Sequence, residues 1–117
     1  MRIAFIDDEP DYVYLIKQRL LDFEVDYYND SEIDDILFKN YDVIVCDHYL
    51  SNGMSHDVYK AAYAAGFSGL FIVHSAARAS TVLKDCIDAN AMDITIVEKG
   101  RTDLLCNILY DRMNLVS

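Results

Sequence analysis

The chain has 117 residues, 53% of them hydrophobic, with 4 Gly and 1 Pro, which suits one globular domain spanning residues 1–117 and is too short for two dependable cores. Its 10 basic and 20 acidic residues leave a formal net charge of −10, which argues against direct nucleic-acid binding because phosphate backbones would repel it. No apolar run approaches the roughly 20 residues needed to cross a bilayer, and Asp7-Asp8-Glu9 interrupts the start too early for a secretory signal, so the expected location is cytoplasmic, with no membrane partner.

Cys46, Cys86 and Cys106 are odd in number and lack metal-ligand spacing, which predicts buried reduced thiols. His48, His56 and His74 form no ligand motif.

Arg2–Ile6 reads as a buried strand ending in the acidic loop, and Pro10 fits the first turn of a helix with Val13, Ile16 and Leu20 on its stripe. Val25–Tyr28 is a short β-prone run. Asp30 or Ser31 then caps a second helix carrying Ile33, Ile36 and Leu37. Val43–Cys46 is a continuous apolar run, the strongest buried-strand signal, and it stops at Asp47. After the loop Ser51-Asn52-Gly53, Val58, Tyr59, Ala62 and Ala65 mark a third helix with Gly66 at its C′ position. Leu70–Val73 is the fourth strand, leading to His74 and Ser75. Ser80 caps a fourth helix whose inner face carries Leu83, Cys86 and Ile87. Ile94–Val97 is the fifth strand, and Thr102 caps a last helix with Leu105, Ile108, Leu109 and Met113 on its stripe.

This alternation predicts an α/β fold: a doubly wound, flavodoxin-like, five-stranded parallel sheet of order 2-1-3-4-5 with five flanking helices. In such sheets ligands bind beyond the strand C-termini, at the switch between the first and third strands. The residues there are Asp7-Asp8-Glu9, Asp47, Ser75 and Lys99. Carboxylates brought together raise one another's pKa unless a cation intervenes, and Mg²⁺ is a natural occupant of an oxygen-only site. Each signal has a bland alternative, an Asp-Asp-Glu run as a helix-capping loop above all. Their joint placement on one rim is what carries weight.

Phe5-Ile6-Asp7-Asp8-Glu9-Pro10, Val43-Ile44-Val45-Cys46-Asp47 with Leu50-Ser51-Asn52-Gly53-Met54, Ile72-Val73-His74-Ser75-Ala76 and Val97-Glu98-Lys99 together resemble the response-regulator receiver domains of two-component phosphorelay signalling. The resemblance runs in order along the whole chain. It implies that Asp47 is the phosphoacceptor, forming an aspartyl phosphate. Asp7, Asp8, Asp47 and the Tyr49 backbone carbonyl would bind Mg²⁺, with Mn²⁺ as a substitute. Ser75, the Ala76 backbone N–H and Lys99 would bind the phosphoryl group, with Ser75 as the switch. A histidine kinase or histidine phosphotransfer protein would be the donor. The output would reach a protein target through the surface of the fourth helix, fifth strand and fifth helix, since the chain stops just after that helix. The module would promote its own phosphorylation and dephosphorylation without being a conventional enzyme.

Three positions depart from the family pattern. Ile96 replaces the usual switch aromatic, so a muted or re-routed output through the fifth strand is expected. Gly100 replaces a proline, which predicts a trans Lys99–Gly100 bond and a looser loop, because a non-proline cis bond costs roughly 3–4 kcal/mol. Ser51 also replaces a proline, and the loop after the acceptor should loosen slightly. His48 and His74 lie beside rim residues on alternating strands and are expected to face the flanking helices. Two rival functions stand beside the leading one. One is a phosphate-independent pseudo-receiver that only binds partners. The other is a small Mg²⁺-dependent phosphatase with its aspartyl nucleophile in Asp7-x-Glu9.

Overall fold

The structure, a computed structural model, describes residues 1–116. In chain order its elements are β1 (Arg2–Ile6), α1 (Pro10–Lys17), β2 (Glu24–Tyr28), two 3-10 segments (Asp30–Asp35 and Phe38–Asn40), β3 (Val43–Cys46), β4 (Tyr49–Leu50), β5 (Gly53–Met54), α2 (Ser55–Ala64), β6 (Leu70–Ser75), α3 (Ala79–Asp88), β7 (Thr95–Glu98) and α4 (Thr102–Val116). The main sheet runs β2-β1-β3-β6-β7, every neighbouring pair parallel. Leaving aside the β4–β5 hairpin, this is the expected 2-1-3-4-5 order. Among the described residues no helix is long and apolar enough to cross a membrane.

Period-two alternation divides the strands between two apolar layers. Ile3, Phe5, Val43, Val45, Ile72 and Val97 pack with Val13 and Ile16 of α1 and Leu105 and Leu109 of α4. Ala4, Ile6, Ile44, Cys46, Phe71 and Val73 pack with Val58 and Ala62 of α2 and Val82 and Cys86 of α3. A strand buried on both faces has no polar alternation, which is why Val43–Cys46 is uniformly apolar.

Two elements differ from expectation. The second flanking helix forms as 3-10 turns. Four acids in six residues, Asp30, Glu32, Asp34 and Asp35, repel one another at helical spacing, and the aspartates among them are weak helix formers. Asn29 supplies its cap: the Ser31 N–H donates to Asn29 Oδ1 at 3.1 Å, and the Asn29 N–H donates to Glu32 Oε1 at 2.9 Å. In α3 the chain turns helical at Ala79, with Arg78 rather than Ser80 at the N-cap. The buried pair is accordingly Val82 and Cys86, whereas Leu83 and Ile87 face outward. Moving the start of a helix by one residue rotates its face by about 100°.

Gly69 sets the approach of β6 to the loop before β3. A Cβ there would lie 2.0 Å from the Asp42 carbonyl oxygen, which accepts the Leu70 N–H at 3.0 Å. A Cβ at Gly100 would meet nothing within 4 Å. Gly69→Ala is therefore expected to lower stability by about 2 kcal/mol or more in urea unfolding, since backbone cannot yield as a side-chain tip can. Gly100→Ala should be neutral or stabilise by up to about 1 kcal/mol, because it restricts mainly the unfolded chain.

Candidate functional site

Strand pairing itself brings the site together. Beyond the ends of β1 and β3 the ladder continues by one bond, with the Asp47 N–H donating to the Ile6 carbonyl at 2.9 Å and the Asp7 N–H to the Tyr28 carbonyl at 3.2 Å. The Tyr27 hydroxyl donates to the Asp7 carbonyl at 2.7 Å. On the other side the Lys99 N–H donates to the Ser75 carbonyl at 2.8 Å. Four strand ends thus deliver Asp7, Asp47, Ser75 and Lys99 to one rim. Asp8 stands next to Asp7 in the exposed loop, and Ser75 is buried, its hydroxyl oxygen accepting the Ala77 N–H at 3.2 Å.

Each buried carboxylate has one oxygen tied down and one turned to the shared space. Asp7 Oδ1 accepts the Glu9 N–H at 2.9 Å, and Asp47 Oδ1 accepts the His48 N–H at 2.7 Å. The other oxygens meet the Lys99 ammonium: Nζ lies 3.1 Å from Asp7 Oδ2 and 3.6 Å from Asp47 Oδ2, with Glu9 Oε1 also at 3.6 Å. Lys99 pairs with the Asp47 carboxylate. It does so as part of a group of three acids, and its shortest contact is to Asp7.

One lysine does not neutralise this cluster. Burial pushes Asp7 up to about 6 against the opposing pull of the Glu9 N–H and Lys99, and the Asp47 charge adds to the rise. Burial works against the Lys99 ammonium too, but Asp47, Asp7 and Glu9 outweigh it and raise its pKa above the ordinary value. One oxygen each from Asp7, Asp8 and Asp47 lies within 4.8 Å of the others. Oxygen-only donors, surplus negative charge and a carboxyl held above its ordinary range fit a hard divalent cation such as Mg²⁺. Asp7, Asp8 and Asp47 are the residues that would hold such an ion.

A polar layer behind the rim went unnoticed in the sequence. His74 faces α1 and α4, as expected, and its Nδ1–H donates to the Val97 carbonyl at 2.9 Å. That leaves Nε2 to accept the Tyr12 hydroxyl at 2.6 Å. Burial lowers the His74 pKa, in keeping with a neutral ring. The Tyr12 ring lies 4.8 Å from Lys99 Nζ, a cation–π contact that gives the ammonium a wall as well as partners. A half-buried tyrosine in the first turn of α1, close after the acidic loop, was the available signal.

The departures also resolve. No cis peptide bond occurs among the described residues, so Lys99–Gly100 is trans as expected. Its loop is nonetheless tied, with the Thr102 and Tyr12 hydroxyls each 3.3 Å from the Lys99 carbonyl. Ser51 corrects the expectation of a looser acceptor loop. Its N–H, which proline would lack, donates at 2.6 Å to buried Asp30, and hydrogen bonds from Ser51 hold that carboxyl below its ordinary value. The same loop folds back as the unexpected β4–β5 hairpin. Ile96 is half-buried and packs toward the α2–α3 layer.

The raised pKa of Asp7 has a definite sign. An acid whose pKa rises on folding adds stability below its unfolded value near 3.8, and loses that contribution as pH rises through about 6. Without divalent cations, Asp7→Asn should therefore gain stability over wild type between about pH 4 and 6.5 and level off above, by about 3 kcal/mol at most. Urea unfolding across that range in chelator measures it; a flat difference would show that burial of the carboxylate carries no cost.

No family model and no curated protein sequence matches this chain. Solved structures do match. A response regulator receiver protein from Pseudoalteromonas atlantica superposes with a TM-score of 0.80 at 14% identity, covering 100% of both chains. The response regulator protein TrrA from Thermotoga maritima, in complex with Mg²⁺-BeF, gives 0.75 at 23% identity over 95% of this chain and 97% of that one. A protein described as an adenylate cyclase from Rhodopirellula baltica gives 0.74 at 18% identity over 98% and 90%. At such identities the likeness speaks for fold, and one fold serves many activities. The chain has the receiver-domain fold, the flavodoxin-like sheet shared mostly by response regulators among these neighbours.

Proposed function

We propose that this chain is a phosphoacceptor signalling module in which Asp47 takes a phosphoryl group from a histidine kinase or histidine phosphotransfer protein. The observation that carries the reading is the outward oxygen of Asp47. Oδ2 stands 3.6 Å from Lys99 Nζ, and one oxygen of the same carboxylate lies within 4.8 Å of an oxygen each from Asp7 and Asp8. The Thermotoga maritima neighbour, solved with Mg²⁺-BeF, lends support to the same pocket in the same fold.

In this reading Asp47 Oδ2 attacks phosphorus. An O–P bond forms as the N–P bond of the donor phosphohistidine breaks, and the bonding pair returns to the donor imidazole. Asp7, Asp8, Asp47 and the Tyr49 carbonyl hold Mg²⁺, which when bound supplies positive charge to the phosphoryl oxygens. Lys99 exchanges a carboxylate partner for a phosphoryl oxygen, with its ammonium kept against the Tyr12 ring. The Ser75 hydroxyl gives up the Ala77 N–H to donate to the phosphoryl group, and the Ala76 N–H adds a second donor. The output surface is formed by α3, β7 and α4, where Leu83, Ile87 and Met92 are exposed. The module works in the cytoplasm.

Incubation with acetyl phosphate and Mg²⁺ should label wild type, and chelation or Asp47→Asn should reduce labelling to background. Lys99→Ala should slow labelling by about a hundred- to a thousand-fold, the usual effect of removing one group that stabilises transition-state charge. Wild type that neither labels nor responds to beryllofluoride would leave a phosphate-independent binding module.

A further inference from the structure

His48 follows Asp47 and sits with 0% exposure in the α2–α3 layer, where the neighbouring sheet positions carry Ile6, Ile44, Cys46 and Val73. An imidazole in that layer needs partners for both nitrogens. It has them. Nε2 lies 2.8 Å from Asp85 Oδ2 of α3, and Nδ1 lies 2.8 Å from the Ser55 hydroxyl at the start of α2. A carboxylate only accepts, so Nε2–H donates to Asp85. The backbone doubles the link to α2, with the Ser55 N–H donating to the His48 carbonyl at 2.8 Å.

Ser55, His48 and Asp85 have the partners of a nucleophilic triad, but Ser55 has 0% exposure, and nothing can reach its hydroxyl. The arrangement connects elements instead. At one end, the His48 N–H donates to Asp47 Oδ1 at 2.7 Å. At the other, Asp85 lies on α3 between outward-facing Leu83 and Ile87. Two short hydrogen bonds, one to the His48 backbone N–H and one from its ring, joined through the covalent frame of that residue, therefore link the acceptor carboxylate to the middle of the helix.

We propose that His48 is a positioning residue that couples the state of the Asp47 carboxylate to helix α3 through its hydrogen bond to Asp85. The idea rests on the phosphoacceptor reading of Asp47. Esterification at Oδ2 leaves Oδ1 an acyl oxygen, without the charge that makes a carboxylate a strong acceptor. The His48 N–H bond weakens, the backbone at the end of β3 relaxes, and the ring, held at both nitrogens, carries the shift to Asp85. This route bypasses β7. It gives the output a path that does not need an aromatic at Ile96.

Assigned amide NMR spectra with and without Mg²⁺ and beryllofluoride test it, with bound fluoride followed by ¹⁹F signal. Wild type should show shift changes across residues 79–88. Asp85→Ala should keep the bound-fluoride signal yet lose at least about half of the α3 response, as expected when one link of a coupled pair is removed. Asp85→Asn, whose amide oxygen still accepts from Nε2–H, should restore most of it. An undiminished α3 response in Asp85→Ala overturns the proposal. A second arm needs no phosphoryl mimic: Asp47→Asn neutralises the same carboxylate, and its effect on α3 amide exchange should disappear in Asp47→Asn/Asp85→Ala. Additive effects overturn the coupling there too, whereas absent fluoride binding in wild type counts against the phosphoacceptor reading alone.

Discussion

Everything at the rim depends on one ammonium group. A parallel sheet sends its C-terminal strand ends to the same edge, so the apolar runs that build the core also place Asp7 and Asp47 side by side. Two carboxylates cannot share a poorly hydrated edge without a counter-charge. Lys99 supplies it from the far strand, and its reach to Asp7, Glu9 and Asp47 joins the β7 loop to the β1 and β3 ends. Lys99 brings one positive charge to three carboxylates, and burial pushes the Asp7 carboxyl up to about 6. The edge therefore keeps a surplus of negative charge.

Behind the rim, the two sheet faces are treated alike. Where an aliphatic side chain would continue each apolar layer, the chain has His74 on the α1–α4 side and His48 on the α2–α3 side. Each imidazole is fully bonded: His74 to Val97 and Tyr12, His48 to Ser55 and Asp85. Apolar contacts tolerate sliding, while hydrogen bonds with 2.6–2.9 Å spacing do not. The pairs therefore fix strand ends to helices in a single arrangement. Asp30 does the same for the acceptor loop through Ser51. Replacing a proline has exchanged a stiff backbone for a specific bond.

The fold and most of the rim were legible because they rest on local signals. Val43–Cys46 and Arg2–Ile6 read directly as strands, and a period of two correctly assigned His48 and His74 to the helix-facing sides. What was illegible depends on partners distant in sequence. Periodicity gives the face on which Tyr12 lies, but not that His74 and Lys99 wait there, 62 and 87 residues away. Asp85 carries no local signal either, since its partner His48 lies 37 residues away. Over Asp30–Asp35 an apolar period cannot separate 3.0 from 3.6 residues per turn, and mutual repulsion of the acids decided the outcome. In α3 a cap chosen two residues late turned the wrong pair inward.

A free carboxylate has two equivalent oxygens; Asp47 does not. With Oδ1 committed to the His48 N–H, the group has a fixed regiochemistry, and only Oδ2 is open as a nucleophile. A donor in the proposed reaction then has a single line of approach, from beyond the strand ends. Its phosphorus must lie opposite the Asp47 Cγ–Oδ2 bond and beside Lys99. Selectivity among donors becomes a matter of docking angle, set by a backbone amide, and not of recognition by the acceptor side chain itself.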